Sequence, residues 1–391
     1  MTYFPLTQDQ LRWRQMAEAL ARDVLEPKAA DTDRDGSFPS EQLAALRAEG
    51  LMGLRGDRDQ GGAGEGLLTT CLVVEALAAA CPSTALIYKM HLESIELVCR
   101  VPTPDQARQF VPRLVSGEWL STVAGSEAGH RGGAWADAPK ASVSRTDDGY
   151  EVRHIAKSFV TAAGLADSYF FMCSLEQPEG RPLQLMFQIR SDDLEWTIDR
   201  PWDGLGMRGN ASSPMTFNGF IPDSRLLNPE ARPVDFFPVV LATYAATYLG
   251  IAAGCFDRLV AHVAGSERAG GGRLSDLDPV RSRVAAAKVE IERSRALLYS
   301  ACAAFDDGRH ESPLPFFESK VACDQLAASV ASDAMTLGGG AAFAKQLPFE
   351  RYFRDARAGM VMGVAHDVAV GNIGRLLFPP PRDKAEGGSP A

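Results

Sequence analysis

Apolar positions in the first 115 residues recur at helical spacing. In "LTQDQLRWRQMAEALARDVL", Leu11, Met16, Leu20 and Val24 form one stripe. Thr7 with Gln10 three residues on is a capping-box pattern that starts this helix. "SEQLAALRAEG" predicts a second helix from Ser40 that stops at Gly50. "LLTTCLVVEALAAAC" is apolar on all sides, which predicts a buried central helix. "STALIYKMHLESIELVCR" continues the helical pattern. "TPDQARQFVPRLVSG" closes it, with Pro104 in the first turn and Gly117 past the end.

The period changes near residue 118. "WLSTVAG", "KASVSRTDDGYEVRHIAKSFVTAA", "SYFFMCSL", "PLQLMFQIR" and "SPMTFNGFI" are short and rich in aromatic and β-branched residues, and Asp148-Gly149 has hairpin-turn chemistry. They predict a small antiparallel barrel or sandwich. Long helical patterns return at about 234–265, 279–307, 316–337 and 349–377, which predicts a four-helix bundle. The fold class is therefore α+β multidomain: a helical domain over 1–117, a β domain over 118–229, the bundle over 230–378 and a disordered Pro/Gly/Ser-rich tail over 379–391.

Composition narrows the function. With 391 residues the chain exceeds one ordinary core, and 46% apolar with 23% charged residues is ordinary for a globular protein. A net charge of −10 argues against nucleic acid as the main partner. The seven scattered cysteines form no CxxC and no metal-ligand spacing with the histidines, so reduced core thiols and no metal site are expected. No signal peptide is visible and no apolar run reaches membrane-spanning length, so a cytoplasmic protein without a membrane partner is expected.

Several motifs are candidates for chemistry. Gly338 to Gly340 follow no strand, so a helix end with a tight turn is expected rather than a nucleotide loop. Arg351, Arg354 and Asp355 read as a solvated, self-paired helix face. His91 sits alone on an apolar helix, where a hydrogen-bonded core histidine is the usual outcome. His366 and Asp367 are adjacent on a helix and point about 100° apart, so neither orients the other easily. His130 lies in a glycine-rich loop after a strand, a common place for ligand contacts.

Four separated segments carry more weight together. "STVAGSEAG", "GYEVRHIAKSFVTAAGLADSYFF", "GMRGNASSPMTFNGFIPDSRLL" and "LGGGAAFAKQLPFERYFRDAR" occur in an order and spacing that resembles the acyl-CoA dehydrogenase superfamily, over about residues 5–378. The resemblance implies a flavin, FAD or else FMN, held between the sheet and the bundle. It implies that Val123, Ala124 and Gly125, with Phe159 and Thr161, line the flavin ring. It further implies a pyrophosphate contact from Arg268, and backbone contacts from Gly338 and Gly339 to the adenine half, often from a neighbouring subunit. The expected assembly is a homodimer or homotetramer.

The departures from the pattern bear on mechanism. In "RDARAGMVMGVAHD" the register set by Arg354-Asp355 puts Gly363 where the family has its catalytic glutamate, and the alternative position falls near Val240. Asp367, one helical turn further, would share a face with Gly363. Ala124, His130, Gly271, Thr336 and Leu241 also replace family residues, the last an arginine that holds the nucleotide end of the thioester. The resemblance implies α,β-dehydrogenation of a CoA- or carrier-bound acyl thioester with a relocated base, for which His91, His130 and His366 are the candidates. A monooxygenase or oxidase using reduced flavin and oxygen needs no such base and is the alternative. A non-catalytic relative is a further one. The electron acceptor or flavin reductase is left open.

Overall fold

The computed structural model describes residues 4–100, 102–129, 139–175, 177, 182–228, 233–309 and 312–379. The chain opens with α1 (Gln8–Leu20), whose capping box is formed by Thr7 and Gln10. A π-helical turn joins it to α2 (Glu26–Asp35), and α3 (Ser40–Ala48) follows. α4 (Leu67–Ala80) is buried on nearly every side, and α5 (Pro82–Arg100), α6 (Pro104–Gln109) and α7 (Val111–Val115) complete the first helical part.

The strands are β1 (Ser121–Ala124), β2 (Ser142–Arg145), β3 (Gly149–Val160), β4 (Ser168–Leu175), β5 (Leu183–Arg190), β6 (Leu194–Ile198) and β7 (Ser213–Pro222). They form one curled sheet in the order β1-β4-β2-β3-β7-β6, with β5 paired to β4. The sheet is mixed rather than antiparallel, because both β1 and β2 run parallel to β4. Parallel neighbours need long connections. The long hairpin through β3 separates these strands in sequence, so their relative direction leaves no local signature.

The second helical part is α8 (Pro233–Gly265), α9 (Asp278–Asp306), α10 (Leu314–Phe343), α11 (Phe349–Ala356) and α12 (His366–Leu377). Residues 236–265 of α8 are in fact long and apolar enough to cross a membrane, contrary to the sequence expectation, but 89% of the apolar window is buried inside the protein. α4 and α8 touch backbone to backbone. A Cβ on Gly250 would come within 2.4 Å of the Glu75 carbonyl, and one on Gly254 within 2.1 Å of the Ala79 carbonyl. Glu75 then ties α4 to α9 through Arg295 at 2.7 Å and Tyr299 at 2.5 Å.

One expectation changes in the last third. At the glycine cluster, as expected, the helix is interrupted: Gly339 at φ 55° and ψ −140° is non-helical, and two helical segments of α10 meet across a kink there. The predicted helix over 349–377 is broken: α11 gives way to a 3-10 turn over Arg357–Met360, and Gly363 at φ 70° turns the chain before α12. Gly363 and Asp367 are therefore not one turn apart on a shared helix. Of the predicted disordered tail over 379–391, residues 380–391 lie outside the described residues. All seven cysteines are buried and none is in a disulfide.

α4 begins at Gly66, which has no side chain to cap it. Asp306 at the end of α9 accepts from the Leu67 and Leu68 amides at 2.6 and 2.9 Å instead. Asp306→Ala is expected to lower unfolding free energy by about 1–2 kcal/mol, as loss of a helix N-cap does. Chemical denaturation of wild type and variant checks it.

Candidate functional site

Helix α11 carries the sequence RDA, and its charges reach across the fold rather than pairing only along the helix. Arg354 bonds Glu350 at 2.7 Å one turn back, but also Asp33 of α2 at 2.5 Å and the Leu205 carbonyl at 3.1 Å. Asp355 is buried and accepts from the Met207 amide at 2.7 Å. The solvated face expected for Arg351, Arg354 and Asp355 is thus an anchor. It holds the loop after α11 and the 204–207 loop on either side of a cavity of about 500 Å³.

One wall comes from the sheet. Val123 and Gly125 stand at the end of β1, and Phe159 and Thr161 at the end of β3. The Thr161 hydroxyl lies 3.1 Å from that of Ser212. The turn behind it is strained, since Ala162 and Ala211 adopt left-handed φ of 54° and 49°, and the Ala162 and Ala163 amides donate to the Asn210 and Ala211 carbonyls. Phe159 is an apolar ring left 53% exposed, set edge-to-face against Trp202 at 6.4 Å. An exposed aromatic beside a hydroxyl and a wide cavity fits a planar aromatic cofactor.

The opposite wall comes from helices and from the loop after α11. Met90 and Glu93 project from α5, Val240 and Tyr244 from α8, and Val361, Met362 and Gly363 from the loop. Gly363 is forced twice over. Its φ is left-handed, and a Cβ there would lie 2.7 Å from Tyr244 Cε2. The Tyr244 ring occupies the space into which a side chain at 363 would grow.

Beneath Tyr244 is a buried ion pair that sequence reasoning missed. Lys89 Nζ lies 2.6 Å from Glu93 Oε1 and 3.0 Å from the Tyr244 ring centroid. The Thr243 hydroxyl donates to the same Glu93 oxygen at 2.5 Å. Burial, opposed by Glu93, pushes the Lys89 ammonium down to about 8, and burial pushes the Glu93 carboxyl up. The signal was the pair of opposite charges four residues apart on an otherwise apolar helix.

The remaining predicted site residues are dispersed. His91 is wholly buried away from the cavity. The Ser121 amide donates to its Nδ1 at 3.0 Å, which puts its proton on Nε2, facing the Met52 carbonyl at 3.2 Å. Burial lowers it to about 4, so it is a neutral tie between α5 and β1. His366 caps no cavity wall; its Nδ1 sits 3.5 Å from Asp324, beside the Lys320–Asp324 pair. Ala124 is buried behind the wall, Arg268 sits in the turn before α9, and Gly338 and Gly339 form the α10 kink, all apart from the cavity of this single chain. His130 lies outside the described residues.

A helical part, a curled sheet and a helical bundle, with a cavity between sheet and bundle, define the class: the acyl-CoA dehydrogenase fold of flavin oxidoreductases. The chain belongs to the acyl-CoA dehydrogenase family, whose N-terminal domain matches residues 7–118 and whose C-terminal domain matches residues 241–378. It is 28% identical over 364 residues to a protein named probable acyl-CoA dehydrogenase FadE25 from Mycobacterium tuberculosis, covering 90% of this chain and 91% of that one. Among solved structures, butyryl-CoA dehydrogenase from Megasphaera elsdenii superposes with a TM-score of 0.89 at 22% identity, covering 96% and 99% of the two chains. TdsC from Paenibacillus sp. A11-2, solved with FMN and indole, superposes with a TM-score of 0.83 at 21% identity, covering 94% and 97%. FAD is the family's standard cofactor.

The His91 geometry predicts an acid sensitivity. Between its unfolded value of 6.5 and its folded value of about 4, the unfolded chain takes a proton that the folded chain refuses. Stability then falls as pH drops through this window and is unaffected above it. The loss reaches about 3 kcal/mol at the bottom of the window. His91→Gln is expected to be less stable near neutrality but to lack this part of the slope. Paired thermal melts across pH 4–7 measure the difference.

Proposed function

We propose that this chain is a flavin-dependent oxidoreductase that dehydrogenates an acyl thioester, bound to CoA or to a carrier protein, between its α and β carbons. The observation that carries this is the pairing of walls: Phe159 and Thr161 face Tyr244, Val240 and Met362 across one cavity. Val123, Phe159 and Thr161 would hold the flavin, which supplies the hydride-accepting chemistry when bound. Val361 and Met362 offer apolar contacts to an acyl chain. Tyr244 shortens the space and keeps water from it. Burial raises the Tyr244 hydroxyl's proton affinity, so it serves as a neutral donor and not as a base. The assembly proposed is a homodimer or homotetramer, to which exposed Phe343 and Phe378 at the ends of α10 and α12 lend apolar surface.

One observation favours a second reading, a monooxygenase or oxidase using reduced flavin and oxygen. Position 363 carries no carboxylate, position 240 is valine, and the Tyr244 ring excludes a side chain at 363. Oxygen chemistry needs no base at the α carbon.

Anaerobic titration of the flavin-loaded protein with a panel of acyl-CoA and carrier-bound thioesters separates the two. Bleaching of the flavin by at least one thioester is expected. If none bleaches it, and a flavin reductase with oxygen yields product, the first reading is lost to the second. Gly363→Glu alone is expected to destabilise the protein by about 1–3 kcal/mol through overpacking against Tyr244. Adding Tyr244→Ala is expected to relieve the clash but not the left-handed strain at 363, so stability stays below wild type while bleaching quickens; thermal melts and stopped-flow absorbance follow both.

A further inference from the structure

Four charged side chains stand among the described residues lining the cavity, and three are already paired. Glu127 receives Lys157 Nζ at 2.6 Å on Oε1 and the Lys140 and Ala141 amides on Oε2. Glu93 receives Lys89 and Thr243 on Oε1; its Oε2 is unpartnered but buried within the wall. Arg354 is closed on Asp33 and Glu350. The fourth is Arg357. It is exposed, and its guanidinium makes no ion pair or hydrogen bond with any described residue.

An unpaired arginine on a surface is usually just solvated. This one differs in its setting. The chain is acidic, with a net charge of −10, and Arg354 one turn earlier holds two carboxylates while Arg357 holds none. The acids of the flanking segments are engaged elsewhere, Asp203 by Arg208 at 3.4 Å and Asp355 by the Met207 amide at 2.7 Å. The guanidinium is also held in place. Its Cζ stands 4.7 Å from the centre of the Phe353 ring, one helical turn back. Stacking uses the flat face of the group and leaves its N–H edge free. The open wall here is otherwise apolar: Leu205, whose carbonyl Arg354 binds, is 66% exposed, and Val361, after the turn that Arg357 begins, is 72% exposed.

We propose that Arg357 is a specificity-determining cation that selects an acyl thioester whose chain carries a carboxylate, so that the substrate is the monothioester of a dicarboxylic acid. This rests on the acyl-thioester reading above. The chain would run along Val361 and Met362 and present its carboxylate to the guanidinium. A carboxylate matches the N–H fork in shape and in charge. A headgroup phosphate would need further donors around it, and the open wall offers apolar side chains instead.

The test uses the flavin-loaded protein and thioesters of equal chain length: carboxylated at the chain end, the methyl ester of that carboxylate, and plain alkyl. Each is made on CoA and on pantetheine, which has no phosphate. At one or more chain lengths kcat/KM for the carboxylated chain is expected to exceed that for its methyl ester by ~10-fold or more, on both headgroups. Calorimetric titration with the matching non-oxidisable thioethers is expected to give the same order, independent of turnover. Arg357→Met keeps the stem of an exposed side chain and is expected to fold, to keep flavin and to lose the preference. Arg357→Lys, which keeps the charge without the fork, is expected to retain part of it. Equal use of carboxylated and esterified chains by wild type at every length overturns the proposal, as does a preference that persists in Arg357→Met. A loss confined to CoA thioesters, or a loss of flavin from Arg357→Met, also overturns it and assigns Arg357 to a phosphate of the headgroup or of the cofactor. If no thioester reduces the flavin, the dehydrogenase reading fails instead. The thioether titrations then still decide whether Arg357 selects a carboxylate, and binding of none of them overturns this proposal too.

Discussion

The cavity exists because two adjacent side chains on α11 bind partners far away in sequence. Arg354 closes on Asp33 with two short contacts of 2.8 and 2.5 Å, and Asp355 takes the Met207 amide at 2.7 Å. The first bond fastens the end of the chain to its beginning. The second fastens it to the connection between β6 and β7. Asp355 is fully buried, and burial lifts its carboxyl to about 6, with the Met207 amide opposing the rise. Everything that lines the site on the bundle side after residue 356 hangs from this anchor, including the left-handed turn at Gly363.

A second theme is the placement of ion pairs inside apolar helices. Lys89–Glu93 on α5 and Lys320–Asp324 on α10 are both i, i+4 pairs, both wholly buried, and both lie against the stacked rings of Tyr244 and Tyr248. Lys320 also reaches the Gly359 carbonyl at 3.1 Å, which supports the loop that carries Gly363. Buried pairs of this kind rarely add much stability, because desolvation offsets most of the attraction. What they do here is fix two aromatic rings and a loop at the edge of a reaction space.

Much of the fold was legible in hydrophobic periodicity. The order of helices, strands and helices, the buried central helix α4 and the long helices α8 to α10 follow from spacing alone. The parallel pairing of β1 and β2 with β4 was not legible, since a strand's direction relative to a distant neighbour leaves no local trace. Arg354 and Asp355 looked like a self-paired face because the partners, Asp33 and Met207, are distant in sequence. That position 363 is glycine could be read from the sequence. What confines it could not, because the Tyr244 ring reaches Gly363 only once α8 and the loop are folded together. Glu93 was hidden for a similar reason. Charges on an apolar helix suggest burial, but which oxygen stays unpartnered depends on Thr243 of another helix.

The backbone contact between α4 and α8 at Gly250 and Gly254 leaves no room for even a methyl group. Two helices seated this closely behave as a single axle: neither can slide or roll without driving carbonyl into Cα. The α8 side of the cavity is consequently inelastic. The width of the chamber is therefore left to side chains such as Tyr244 and to the loop after α11, replaceable fittings mounted on a stiff chassis.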